Sequence, residues 1–567
     1  MIRQALHKMP DRLRLPLLTA IYGVVGGLAA VAFMESIHWL FDGGWGWLTA
    51  LSPARFLIAS FLVITVSSLA AGVLMSTICP GAAGSGIPQL KTAYWNDMGL
   101  IPFRAVFVKF IGGIIALVGG ASLGREGPTV VVASGMASNV AGWLGIGRRK
   151  RRRAAVAGAA AGLAAAFNTP LAAISFVLEE ILGDFNSRLL GGVMVASVTG
   201  AFIVFALIGS QPSFLMPVVK TPSWNIYVAV PVSAVLASLA GVLFQRGSLA
   251  LRSRMKTAGT RLPGWARPLL GGLIVWAIGS AIFLGTGRIG IFGLGYNDLS
   301  AAMADGIGWK LAAILAAGKL VATIASYGTG GCGGIFSPTL FIGAMCGFAV
   351  AGLMGIWVPL SADDRLIIAA AGMCACFGAV VRAPVTAVLM VFEMTHQFSM
   401  VPALLLASLI SQGIARLAGR ENFYDGILEQ DERGIHRVTP PRNLAVWRGI
   451  EVSALGVKKP VALTDLSLDA MRHQLERYPY RCFPVVLSGQ VVGVTTRSDI
   501  EHALEREVVP QMEKPVILTT SQTVGEIESR LIDSRAGLFL ISEQEGGPIV
   551  GVFTLHDLIR TQADIFE

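Results

Sequence analysis

From residue 17 to about residue 418, apolar stretches follow one another with only short breaks. Several are too short to cross a bilayer, among them 154–167 and 386–392, because a spanning helix needs about 20 apolar residues. Short apolar segments broken by Gly and Pro mark discontinuous helices that meet at a buried site. Of the 567 residues, 54% are hydrophobic and 14% are charged, against about 25% charged in a soluble domain. The chain therefore reads as an all-α polytopic membrane protein, set in a lipid bilayer, with a smaller soluble part attached.

The formal net charge is +10, but the basic excess is local. Arg148, Arg149, Lys150, Arg151, Arg152 and Arg153 form one run between two apolar segments, and Arg3, Lys8, Arg12 and Arg14 precede the first apolar stretch. Basic flanks stay on the cytoplasmic side, so the basic run and the N-terminus are expected in the cytoplasm; the C-terminus is expected there too, with the protein in an inner or plasma membrane. Flanked by spans, the basic run is not a nucleic-acid patch. No small-residue cleavage site follows a short apolar core, which argues against a signal peptide. The cysteines at 79, 332, 346, 374, 376 and 482 show no metal or disulfide spacing and read as small apolar fillers.

The membrane part contains a repeat. Lys109 lies 19 residues before Pro128, and Lys319 lies 19 before Pro338. Gly124-Arg125-Glu126-Gly127-Pro128 matches Gly334-Ile335-Phe336-Ser337-Pro338 at an offset of 210. Pro170 and Glu179 match Pro384 and Glu393 at 214, and Gly84-Ser85-Gly86 matches Gly293-Leu294-Gly295 at 209. The fold expected is a pair of duplicated halves, about 17–215 and 225–430, with the site at their interface. An odd number of crossings per half would make them inverted repeats. Residues 1–16 read as a cytoplasmic N-terminal segment, 17–430 as the transmembrane domain, 431–445 as a polar linker and 446–567 as a small α/β cytoplasmic domain.

The repeated Gly-x-x-x-Pro elements read as loop-to-helix junctions, with Pro in the first helical turn where its missing N–H costs little. Their free N–H groups and positive dipole ends would bind an anion without a full positive charge. Partial charges hold an ion weakly enough for it to leave again. Gly84-Ser85-Gly86-Ile87-Pro88 is a third junction, and Ser85 adds a hydroxyl donor. Glu126 stands at the opening of one junction, where an ionised carboxylate would mimic the anion and block its path. Once protonated it would lose its charge and swing away. Acids inside a membrane are usually functional.

These stretches resemble the CLC family of chloride channels and proton-coupled chloride transporters. The resemblance covers about residues 17–430 and implies chloride and protons as the transported ions. It makes Gly84, Gly86, Ile87, Pro88, Gly124, Arg125, Gly127, Pro128, Gly334, Ser337 and Pro338 the selectivity filter. It implies that the hydroxyls of Ser85 and Tyr424 and the amides of Ile335 and Phe336 coordinate the central anion. Glu126 matches the family's gating glutamate. Glu180, the second acid of Glu179-Glu180, matches the glutamate that relays protons from the cytoplasm in its transporters. An acid there favours H+/Cl- exchange over the alternative, a passive voltage-gated-type chloride channel. Glu393, the repeat mate of Glu179, is given a structural role. The family also implies a homodimer with one pathway per subunit.

Other chemistry is not supported. Gly285-Thr286-Gly287-Arg288-Ile289-Gly290 fits GxGxxG but lacks a surrounding βαβ unit, and no zinc spacing, P-loop or nucleophile elbow occurs. Neither an enzyme nor a resident cofactor or metal is expected. In the tail, Gly493-Val494-Thr495-Thr496-Arg497-Ser498-Asp499 matches Gly551-Val552-Phe553-Thr554-Leu555-His556-Asp557 at an offset of 58. This resembles a pair of CBS domains, about 446–510 and 511–567. The resemblance implies that Thr496, Asp499, Thr554 and Asp557 could hold the ribose of an adenine nucleotide.

Overall fold

The structure, a computed structural model, describes residues 10–185, 189–209, 216–219, 223–257, 262–419, 421–431, 451–455, 460–527, 537–544 and 547–554. Most of the expected linker, the first nine residues and Asp557 lie outside the described residues. The chain divides into two compact units, Met1–Arg437 and Val438–Glu567.

The first unit is helical throughout. Its first half comprises α1 (Asp11–Thr49), α2 (Pro53–Ile78), α3 (Ile87–Trp95), α4 (Phe103–Val118), α5 (Glu126–Trp143), α6 (Arg151–Phe167), α7 (Pro170–Phe176) and α8 (Leu190–Leu207). A π-helical turn, Val177–Leu182, continues α7. The second half repeats the order as α9 (Ile226–Thr257), α10 (Arg267–Thr286), α11 (Tyr296–Asp305), α12 (Trp309–Gly328), α13 (Phe336–Met354), α14 (Ala362–Val381), α15 (Pro384–Thr395) and α16 (Val401–Ala418). The short α17 (Phe423–Gln430) follows. Among the described residues, nine helical stretches are long and apolar enough to cross a membrane. α1 runs unbroken from Asp11, with Pro16 inside it, so the N-terminal segment and the first apolar stretch share one helix. Pro16 is the sixth residue of α1, past the first turn, so it removes one i→i−4 hydrogen bond from the helix.

The two halves are tied together by equivalent residues. Gly124 N donates to Gly334 O at 2.8 Å, and Gly334 N donates back to Gly124 O in an antiparallel bridge. Such a reciprocal pair is the local mark of a two-fold relation. The flanking loops follow it, with Gly84 N on Gly331 O at 3.0 Å and Gly293 N on Gly120 O at 3.4 Å. Two buried lysines repeat the theme. Lys109 donates to the carbonyls of Ala82, at 2.8 Å, and Gly84. Lys319 donates to those of Gly290, at 2.9 Å, and Gly293, at 2.7 Å. Each ammonium thus holds the irregular loop that leads into α3 or α11, where backbone carbonyls in a membrane interior otherwise have no partner.

The glutamates exchange helix ends. Glu179 accepts from Val385 N at 3.2 Å, Thr386 N at 2.9 Å and Thr386 Oγ1 at 2.7 Å, and so caps α15. Glu393 accepts from Leu171 N at 2.9 Å and Ala172 N at 2.7 Å, and so caps α7. A carboxylate at a helix N-terminus satisfies orphan donors and complements the dipole. Here each half supplies the cap for the other.

The second unit is small and α/β. β1 (Cys482–Leu487) and β2 (Gln490–Thr496) form an antiparallel hairpin that leads into α19 (Arg497–Arg506), while α18 (Leu468–Arg477) precedes it. β3 (Val516–Thr519) runs parallel to β4 (Leu538–Ser542), which pairs antiparallel with β5 (Ile549–Thr554); α20 (Val524–Ile527) lies between β3 and β4. The two hairpins share an apolar cluster of Val494, Leu538 and Leu540.

The lysine caps give a direct test of this fold. Lys319→Met leaves buried carbonyls unpartnered at about 1–3 kcal/mol each, so the variant is expected to lose about 3 kcal/mol or more in thermal unfolding in detergent. An unchanged unfolding temperature would contradict the capping role.

Candidate anion and proton site

All three junctions open helices: α3 begins at Ile87, α5 at Glu126 and α13 at Phe336. Their close approach depends on residues without side chains. A Cβ at Gly127 would lie 2.3 Å from Ser85 O, and one at Gly124 would lie 2.2 Å from Glu126 Oε2. The first junction therefore packs against the second, and the Glu126 carboxylate folds back over the loop that precedes it. Glu126, Ser85, Ile335, Phe336 and Tyr424 are all buried.

The carboxylate itself sits on α13. Ser337 N donates to Glu126 Oε2 at 3.4 Å, Ser337 Oγ donates to Oε1, and Tyr296 Oη donates to Oε1 at 2.8 Å. Among the described residues, the amides of Ile335 and Phe336, immediately before Ser337, donate to no protein acceptor. They belong to the orphan first turn of α13, ready to receive an anion. Phe336 is held by ring contacts to Phe176 and Phe377, with centroids 5.2 and 4.8 Å away.

Ser85 lies in the junction before α3, and Tyr424 lies on α17. Ser85 N donates to Tyr327 Oη at 3.3 Å, and Ile87 N lies 3.4 Å from Ser85 Oγ. The Tyr327 ring packs against Phe423 at 5.0 Å, and Phe423 packs against Tyr424 at 5.8 Å. The Tyr424 hydroxyl is fully buried and has no hydrogen-bond partner among the described residues. A buried hydroxyl without a partner costs about 1–3 kcal/mol, and an anion accepting its proton removes that cost. Both Glu126 and Glu180 stand close enough to Tyr424 to act on it electrostatically.

Glu180 lies in the π-helical turn and is buried. Lys91 Nζ contacts Glu180 Oε1 at 2.6 Å and Asp425 Oδ1 at 2.7 Å. Asn422 Nδ2 donates to Glu180 Oε2 at 3.0 Å, and Asn422 Oδ1 caps α17 by accepting from Asp425 N at 2.7 Å. The same short helix therefore carries Tyr424 and two contacts to the Glu180 ion pair. The side chain of Asp425 is 36% exposed, whereas that of Lys91 is wholly buried, so water reaches the group from the Asp425 side. Trp95 links this region to the basic run: Arg152 Nη2 donates to Trp95 O at 2.9 Å, and Trp95 Nε1 donates to Ile181 O at 3.0 Å.

Sequence reasoning missed Tyr296, Lys91 and Tyr327. Tyr296 directly follows Gly293-Leu294-Gly295, and Lys91 is a lone cation in the helix behind Gly84-Ser85-Gly86-Ile87-Pro88. Both positions flank junctions already identified. In the tail, Thr496 and Asp499 form a capping box on α19: Asp499 N donates to Thr496 Oγ1 at 3.2 Å, and Asp499 Oδ2 accepts from the Thr496 hydroxyl. Thr554 ends β5.

Residues 67–416 match the voltage gated chloride channel family, and residues 452–506 match the CBS domain. Over 435 residues the chain is 30% identical to the H(+)/Cl(-) exchange transporter ClcA of Vibrio cholerae serotype O1, covering 76% of this chain and 92% of that one. It is similar in structure to a slow cyanobacterial Cl-/H+ antiporter, with a TM-score of 0.65 and 25% identity, over 75% of this chain and 99% of that one. A eukaryotic CLC transporter shares the fold at a TM-score of 0.62 and 20% identity, over 96% of this chain and 98% of that one.

Removing one partner of a buried ion pair leaves an uncompensated charge and costs about 3–5 kcal/mol. Lys91→Met is therefore expected to lower the stability of the purified protein by about that much, with Lys91→Arg intermediate. Equal unfolding temperatures for the three proteins would remove Lys91 from the pair.

Proposed function

Since the chain belongs to the voltage-gated chloride channel family, we propose that it exchanges chloride for protons, with Glu126 as the shared element. The observation that carries this reading is the Glu126 carboxylate on Ser337 N. An acid occupies a helix N-terminus whose two preceding amides are free, which is where a halide would bind. Ionised, the side chain fills the place of the anion. Protonated, it no longer competes, and chloride takes the amides of Ile335 and Phe336 and the hydroxyls of Ser85 and Tyr424. The glycines and prolines of the three junctions form the filter by letting the helix ends converge.

Glu180 is the proposed proton entry. Its neighbours lead to the basic run Arg148 to Arg153, which the positive-inside rule assigns to the cytoplasm, and both termini are proposed to lie on that side. Tyr424 then stands between an outer and an inner carboxylate. Lys91 pairs with both Glu180 and Asp425, and the partly exposed Asp425 side chain gives water a path to the pair. The relatives' names as exchangers support this over passive conduction. In the membrane, two copies each carrying one pathway are the proposed assembly.

The tail carries a CBS domain. With its hydroxyl and carboxylate bonded to each other, the Thr496 and Asp499 box supports a structural role over an adenine-nucleotide site. ATP is therefore expected to leave the thermal unfolding of the whole protein unchanged; a raised unfolding temperature would restore the nucleotide reading.

Reconstituted vesicles with chloride and proton fluxes read together test the exchange. The reversal potential should move with an imposed proton gradient, whereas a passive channel would ignore it. Glu126→Gln should pass chloride without moving protons, and Glu180→Gln should reduce proton movement at least tenfold while sparing chloride. Uphill proton movement through Glu126→Gln would overturn the assignment of Glu126.

A further inference from the structure

Two hydroxyls on Glu126 have no part in the cycle as described. Tyr296 opens α11, the repeat mate of α3, and is partly buried. Its Oη lies 2.8 Å from Glu126 Oε1 and 2.6 Å from Ser337 Oγ, and Ser337 Oγ also donates to Glu126 Oε1. The three groups form a closed triangle on one oxygen of the carboxylate. Gly124 leaves room for the other oxygen, Oε2, to lie against the junction.

We propose that Tyr296 and Ser337 are positioning residues, a latch that holds the Glu126 carboxylate on α13 and sets how readily chloride displaces it. This rests on the competition between Glu126 and chloride proposed above. Hydrogen bonds from hydroxyls to a carboxylate are charge-assisted and about twice as strong as neutral ones, so the latch favours the blocking state. The other charges near Glu126 are less direct. The Arg125 guanidinium lies over the Tyr296 ring, 5.7 Å from its centroid, and the Lys319 ammonium is within electrostatic reach of Glu126.

The latch also faces outward. A cavity of about 330 Å³ is lined by Phe41, Asp42, Arg125, Tyr296 and Asn297. Phe41 and Asp42 belong to the end of α1 remote from its basic first turn. Tyr296 thus separates this cavity from the Glu126 carboxylate. An anion entering through the cavity meets the latch before it meets the amides of α13, so the same tyrosine that holds the carboxylate in place stands on the route by which a competitor arrives.

Chloride titrations of the purified protein by calorimetry test this in a double-mutant cycle. With Glu126 present, Tyr296→Phe and Ser337→Ala should each tighten chloride binding about tenfold, the factor that 1.4 kcal/mol gives. In a Glu126→Ala background neither substitution should change the affinity, because the latch has nothing to hold. A purely structural role would act alike in both backgrounds. The latch is overturned if either variant leaves binding unchanged beside Glu126, or changes it equally without Glu126. Glu126→Ala alone should tighten binding; if it does not, the shared-pocket reading has failed instead. Two independent variants keep the test open should one of them fold poorly.

Discussion

The antiparallel bridge between Gly124 and Gly334 is the constraint from which the rest of the membrane unit follows. It joins equivalent points of two duplicated halves at two residues without side chains and brings the first turns of α5 and α13 close enough for Glu126 to reach Ser337. Helix N-termini brought this close present N–H groups that no backbone carbonyl can satisfy. In a soluble protein water would fill the gap. Inside a bilayer the donors need an anion, and the chain supplies a removable one in Glu126.

The same logic explains the buried charges around the site. Lys109 and Lys319 hold the carbonyls of the loops before α3 and α11. Glu179 and Glu393 hold the amides of α15 and α7. These four groups are spent on backbone and leave little freedom to move. Glu126 and Glu180 differ because mobile side chains also hold them: beside Ser337 N, Glu126 accepts from the hydroxyls of Tyr296 and Ser337, and Glu180 meets Lys91 and Asn422. Tyr296, Ser337, Lys91 and Asn422 can change rotamer or proton position, whereas a helix end cannot. That contrast separates the acids that brace the fold from those free to take part in transport.

Much of this was legible in the residues. The offsets near 210 between the two junction sets predicted the duplicated halves, and the Gly and Pro spacing predicted where α3, α5 and α13 begin. The position of Glu126 in its junction predicted burial against a helix N-terminus. The pairing of Glu179 with Glu393 in sequence pointed to a structural role for Glu393, and the reciprocal caps supply its form. What stayed hidden were contacts that depend on side-chain reach across the interface. Nothing local to Lys91 tells that it meets Glu180 and Asp425, which are 89 and 334 residues away. Tyr296 likewise meets Glu126 only because the halves fold back on each other. The role of Thr496 and Asp499 turns on which way their side chains point, and the capping box on α19 shows them turned toward each other.

The central claim is that a carboxylate and a halide occupy one pocket in turn, so chloride binding must change the protonation of the carboxylate by linkage. Chloride titrations of the purified protein in buffers of different ionisation enthalpy count the protons taken up per chloride bound. The account predicts net proton uptake with chloride at neutral pH, lost on Glu126→Ala. Chloride binding with no proton uptake at any pH would contradict it.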